Sequence, residues 1–257
     1  MNILLILAVL PVYLLCIYIY KKDKDKEPKK LLGKLFIFGM ISIIVAVILE
    51  LLLGIVFNPK DNTNIIYQFI SVLIGIAFIE EMCKWTILKL VAFNNKEFNH
   101  IYDMIVYSVY VSLGFAVVEN VLYVTSTGIS TGIVRALISV PGHACFAIFM
   151  GYYLGLAKIN QVNNLKSKYN KNILLSIASP TLIHTIFDYL LLSQNVIFLV
   201  VFLIFLIIIY IICIKKIKKL SNVSQNFKEI PHNNYCTKCG SSLNGRYCTN
   251  CGLDNSK

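Results

Sequence analysis

The chain has 257 residues, is 57% hydrophobic and carries a formal net charge of +11. Soluble domains average roughly 45–50% apolar residues, and a mean hydropathy of +0.71 argues against a single water-soluble core. The short alternating strands of a membrane barrel are also missing from the pattern, which leaves an all-α bundle of transmembrane helices.

Seven apolar runs of near-bilayer length succeed one another, at residues 2–20, 33–57, 65–93, 101–126, 133–157, 172–192 and 195–214. The first has no basic segment ahead of it and no small-x-small site behind it, so it reads as a retained helix rather than a cleaved leader. Lysines gather after the first run (Lys21, Lys22, Lys24, Lys26, Lys29, Lys30, Lys34), after the third (Lys96), after the fifth (Lys158, Lys166, Lys168, Lys171) and after the seventh (Lys215, Lys216, Lys218, Lys219). The other connections hold only Lys60 and, near the fifth run, Arg135. The positive-inside rule then predicts a multi-pass protein of the cell membrane with its N-terminus outside and its C-terminus cytoplasmic. Topology and contact with anionic lipid heads account for the basic charge, so no nucleic-acid partner is expected for the membrane part.

The third run, Ile65 to Phe93, carries Glu80, Glu81 and Lys84 deep within it. Ionisable groups at that depth are costly and mark function. Residues three or four apart share a helix face, so Lys84 lies beside both glutamates. It neutralises one and leaves the other to act as a general base; a purely structural ion pair is the plain alternative. The fourth run holds Glu119 and Asn120, suited to ligate a metal or hold water and to donate to an oxyanion, or simply to bond between helices. In the fifth, Pro141-Gly142 precedes His143, and the pair can break or kink the helix there. The sixth holds His184 and Asp188 at i, i+4 spacing, where the carboxylate fixes the imidazole tautomer. Glu119, His143 and His184 count roughly 7–10 residues from the outer ends of their runs, about 10–15 Å. Glu80 counts about 15 residues in, which is deeper at the same rise per residue.

Past the last run, residues 215–234 are polar and include Pro231, which suggests a tether. Residues 235–257 form a separate miniature module. There Cys236-x-x-Cys239-Gly and Cys248-x-x-Cys251-Gly make two knuckles whose four thiolates suit one tetrahedral zinc. So short a module has no core, so the metal supplies its folding energy. Two disulfides are the alternative, and a reducing cytosol disfavours them. A site with four protein ligands is structural, and its partner is not readable. Cys16, Cys83, Cys145 and Cys213 sit in apolar runs at unrelated spacings and read as packing residues.

The ordered set Glu80-Glu81-x-x-Lys84, Phe115-x-x-x-Glu119-Asn120, Pro-Gly-His143-Ala and His184-x-x-x-Asp188 resembles the PrsW family of intramembrane proteases. That family is in turn similar to the CAAX prenyl endopeptidase and bacteriocin-immunity Abi superfamily. The likeness covers the membrane domain, about 1–214, and leaves the zinc-ribbon-like tail aside. It implies a catalytic centre of Glu80, Glu81, Glu119, His143 and His184. Lys84, Asp103, Asn120, Arg135 and Asp188 are implied as supporting polar positions. It also implies cleavage of a membrane-anchored regulatory protein, anti-sigma-factor-like, in regulated proteolysis. No His-Glu-x-x-His motif is present, so the residues leave open whether a glutamate alone or a catalytic divalent metal activates the water. A CAAX-type prenyl-protein endopeptidase and a non-enzymatic transporter or immunity-type protein are the competing readings.

Overall fold

The computed structural model describes residues 3–57, 64–193, 195–222, 236, 238, 239, 241 and 247–254. Among the described residues, seven helices are long and apolar enough to cross a membrane. They are α1 (Ile3–Lys22), α2 (Lys29–Gly54), α3 (Ile65–Ala92), α4 (Ile101–Thr127), α5 (Ile129–Val162), α6 (Lys166–Leu192) and α7 (Val196–Leu220). Several run past the apolar residues into lysines, because lysine is a good helix former and its stem lies along apolar surface while the ammonium reaches water. The first residues of the expected tether therefore belong to α7, and residues 223–235 lie outside the described part.

Helix α4 is the axis of the bundle. It is buried along most of its length and packs against α1, α2, α3 and α5, while α6 leans on α5 and α7 lies at the edge. Glycines set the closest crossings. A Cβ on Gly39 of α2 would overlap the Val111 carbonyl oxygen, and one on Gly114 of α4 would overlap that of Phe36. Gly151 of α5 meets the Met104 carbonyl of α4 at 2.6 Å in the same sense. Lipid tails give apolar side chains no reason to cluster, so close backbone packing of this kind is what holds membrane helices together. Ile44, Ile48 and Leu51 on α2 and Ile204, Ile207 and Ile208 on α7 face outward, as lipid contact requires.

Three π-helical turns interrupt the α-helices, at Leu73–Ala77, Leu88–Ala92 and Arg135–Ser139. The last replaces the break anticipated at Pro141-Gly142. Proline has no N–H to continue the ladder, and the turn before it widens rather than ending the span.

The lysine-rich connections come together at one end of the bundle. Tyr107 of α4 donates to Glu27 of the α1–α2 turn, and Lys158 of α5 reaches Asn94 at 3.3 Å. The cysteine module sits at that same end. Tyr247 is buried in the cluster that includes Ile101 and Leu220, and a Cβ on Gly252 would lie 2.7 Å from Ile101 Cδ1. Among the described residues no strand forms; Tyr247 and Asp254 make an isolated antiparallel bridge. The four sulfurs converge, with Cys236 and Cys251 at 3.5 Å and Cys239 and Cys248 at 3.3 Å, and the Lys238 amide points at Cys236 Sγ as a knuckle demands. These separations are far above the ~2.05 Å of a disulfide.

Gly114→Val should force α2 and α4 apart. An overpacking cost of about 1–3 kcal/mol predicts a clearly lower midpoint of thermal unfolding in detergent, with Gly33→Val, whose Cβ meets nothing within 4 Å, as the silent control.

Candidate active site

Helices α3, α4, α5 and α6 each turn one polar face toward a common point, and α2 closes the side. On α3, Glu80 and Glu81 follow the first π turn, and Lys84 lies one turn further. The Lys84 ammonium is buried and lies 2.9 Å from Glu80 Oε2 and 2.7 Å from Glu81 Oε1. Its third contact is His143 Nδ1 of α5 at 3.4 Å. An ammonium only donates, so Nδ1 accepts and the His143 proton sits on Nε2. That nitrogen lies 2.8 Å from Glu119 Oε2 of α4. His184 of α6 places Nδ1 3.1 Å from Glu81 Oε1 and Nε2 3.2 Å from Asp188 Oδ2. Phe146 stacks on its ring with centroids 4.5 Å apart.

Arg135 enters from the third π turn. Its Nη2 lies 2.8 Å from Glu119 Oε1, its Nε donates to Asn120 Oδ1 at 2.7 Å, and its guanidinium covers the Tyr123 ring. The Asn120 amide nitrogen bonds the Ala8 carbonyl of α1 at 3.4 Å. Asn120 is therefore committed at both ends to holding Arg135 and α1. It does not line the cavity, which its expected use as an oxyanion donor would need, whereas Arg135 does.

A cavity of about 350 Å³ opens over these groups. Glu80, Glu119, His143, His184, Arg135 and Asp188 line it, whereas Glu81 and Lys84 lie behind its wall. The two adjacent glutamates thus differ in access. Glu80 reaches the cavity, and Glu81 is fully buried between Lys84 and His184. Asp103 lies elsewhere. It accepts from the Asn99 and His100 amides at the far, lysine-rich end of α4, as a helix cap.

One lining residue escaped the sequence reading. Glu50 of α2 faces the same cavity. It is the lone acid of that helix, and the rule that singled out Glu80 applies equally to it. Counting it, five carboxylates (Glu50, Glu80, Glu81, Glu119, Asp188) meet two fixed cations (Lys84, Arg135). His184, with a carboxylate at each ring nitrogen, is a third cation when doubly protonated, and acids still outnumber cations.

The donors of Glu80, Glu81 and His184 lie within 4.8 Å of one another, close enough to hold one ion. Glu81 Oε2 is buried and has no hydrogen-bond partner. An imidazole and two carboxylates with an orphaned oxygen, in a site deficient in positive charge, fit a divalent metal. Asp188 would then be the outer carboxylate that orients the ligating ring.

A family model described as PrsW family intramembrane metalloprotease matches residues 27–213. The chain is 37% identical to Protease PrsW of Oceanobacillus iheyensis over 184 residues, covering 72% of this chain and 80% of that protein. Against Protease PrsW of Geobacillus kaustophilus the identity is 34% over 192 residues, with 73% and 79% covered. Against Protease PrsW of Bacillus subtilis it is 34% over 179 residues, with 69% and 78% covered. No solved structure matches the chain. The cysteine module lies beyond the matched residues.

Lys84→Met leaves two carboxylates buried without their cation. Removing one partner of a buried pair costs about 3–5 kcal/mol, so chemical unfolding in mixed micelles should shift to much lower denaturant. An unchanged midpoint would mean that the ammonium does not hold the pair.

Proposed function

We propose a catalytic mechanism from one premise: the chain belongs to the PrsW family of intramembrane proteases. The protein hydrolyses peptide bonds within a membrane. Glu80 is the general base, and the observation that carries this is its access to the cavity while Glu81 is sealed behind it. Glu80 takes a proton from water as the water oxygen bonds to the scissile carbonyl carbon. It returns that proton to the nitrogen as the carbon–nitrogen bond breaks. Arg135 faces the same space and stabilises the oxyanion. Glu119 holds the guanidinium and accepts the Nε2–H of His143. Lys84 keeps Glu81 and Glu80 from repelling each other, and Asp188 orients His184.

Glu80, Glu81 and His184 would each offer one atom to the catalytic metal, and the Glu80 oxygen that does not ligate would remain the base. When bound, it would polarise the carbonyl and acidify the attacking water. The substrate is a membrane-anchored protein, of the anti-sigma-factor type that the family resemblance suggests, since only a chain already in the bilayer meets this cavity without leaving lipid. The lysine-rich end faces the cytoplasm by the positive-inside rule. The four cysteines bind a structural zinc that folds the terminal module; their converged sulfurs and closed coordination support this.

Glu80→Gln should lower kcat by about 10²–10⁴-fold in a protein that still folds and inserts, read by cleavage of a membrane-anchored reporter in proteoliposomes. Full activity in that variant removes the assignment. In a Cys248→Ser background, which should lose one zinc per chain by elemental analysis, a strong chelator should still abolish cleavage. Activity that is indifferent to the chelator would leave a metal-free glutamate mechanism.

A further inference from the structure

Glu50 lines the catalytic cavity, yet the hydrolytic mechanism leaves it without a task. It is the lone acid of α2 and lies four residues before Gly54, at the end of that helix away from the lysine-rich connections. Ile43, Val47 and Glu50 follow at spacings of four and three, so one face of α2 presents two apolar side chains and a carboxylate to the cavity. Ile44, Ile48 and Leu51, each one position further, face lipid instead.

Every other acid of the centre has a cation or an imidazole beside it. Lys84 lies between Glu80 and Glu81, Arg135 and His143 hold Glu119, and His184 bridges Glu81 and Asp188. Among the described residues Glu50 makes no hydrogen bond and no ion pair. The centre has no cation to spare for it: the three N–H groups of Lys84 are taken, and Arg135 is committed to Glu119 and Asn120. Five carboxylates against Lys84, Arg135 and a divalent metal would still leave one negative charge over. An ionised carboxyl facing apolar walls is costly, and a cation brought by the ligand removes that cost. Among the described residues Glu50 belongs to no converging group of three metal-ligating side chains, which speaks against a metal ion of its own.

We propose that Glu50 selects substrates carrying a lysine or arginine beside the scissile bond. The cationic head pairs with the Glu50 carboxylate while the stem lies along Ile43 and Val47, as long basic side chains do where apolar surface meets a polar end. The cavity of about 350 Å³ gives room for a side chain beside the reacting peptide group. Arg135 does not repel the incoming cation, because Glu119 matches its charge. The place of Glu50 near the end of α2 also suits such a residue, since lysine and arginine are rare at mid-bilayer and reach the interface from the ends of a span. This selection rests on the proposed seating of the scissile bond over Glu80 and adds a substrate class to it.

Membrane-anchored reporters with lysine, methionine or glutamate at each position flanking the scissile bond, cleaved in proteoliposomes, test this. The wild type should favour lysine over methionine by about tenfold in kcat/KM at one of those positions. Glu50→Gln should bring that ratio to about one, and Glu50→Lys should favour glutamate over lysine. A wild type with no lysine preference at any flanking position, or a preference that survives in Glu50→Gln, overturns the proposal. Should Glu50→Gln fail to fold, acetylation of the reporter lysine decides on the wild type, since it keeps the stem and removes the charge. Loss of the preference supports the pairing, and an unchanged rate overturns it. Glu80→Gln should slow the lysine and methionine reporters alike, so the base and the selecting acid are tested separately.

Discussion

A charge inside a membrane must meet its counterpart within the protein, and the Lys84 ammonium between two glutamates is where this molecule meets that demand. All three N–H groups of Lys84 have partners, two carboxylates on its own helix and one imidazole from α5. Each partner then fixes the next. His143 takes a definite tautomer and faces Glu119; Glu119 anchors Arg135; Glu81 meets His184, which meets Asp188. Four spans are thereby keyed to one another through groups that lipid cannot solvate. Such a network is weak evidence for stability and better evidence for registry, because an apolar core would pack these helices without setting their rotation.

The frame makes that keying possible. Gly39, Gly114 and Gly151 let α2 and α5 approach the backbone of α4, which places Glu50, His143 and Glu119 around a single space. Two of the three π turns adjoin the site, one before Glu80 and one carrying Arg135 ahead of His143. An extra residue in a turn rotates the next stretch of helix, and π turns recur at functional sites for this reason.

Much of this was readable from the residues themselves. Hydropathy alone marked the seven spans, because each must satisfy its own backbone in lipid. Lys84, the two glutamates, Glu119, His143, His184 and Asp188 stood out as polar groups in apolar company, and they do converge. What escaped is what depends on rotation and on distance along a helix. Glu50 was hidden by an otherwise unbroken apolar run. Asp103 shares a helix with Glu119 but caps its other end. Asn120 follows Glu119 directly, and a step of one residue turns it about 100° away, toward Arg135 and α1 rather than into the cavity. The buried acids of the α1–α2 turn lay in a segment that read as plain topology signal until the fold closed it over.

In the proposed mechanism, acids and imidazoles from separate spans surround one reacting carbonyl. A structure of the protein in lipid, with a phosphinic peptide mimicking the tetrahedral intermediate, tests it most directly. The phosphinyl oxygens should lie in the cavity, within hydrogen-bond reach of Glu80 and of Arg135. An inhibitor that blocks cleavage while seated away from those side chains would contradict it.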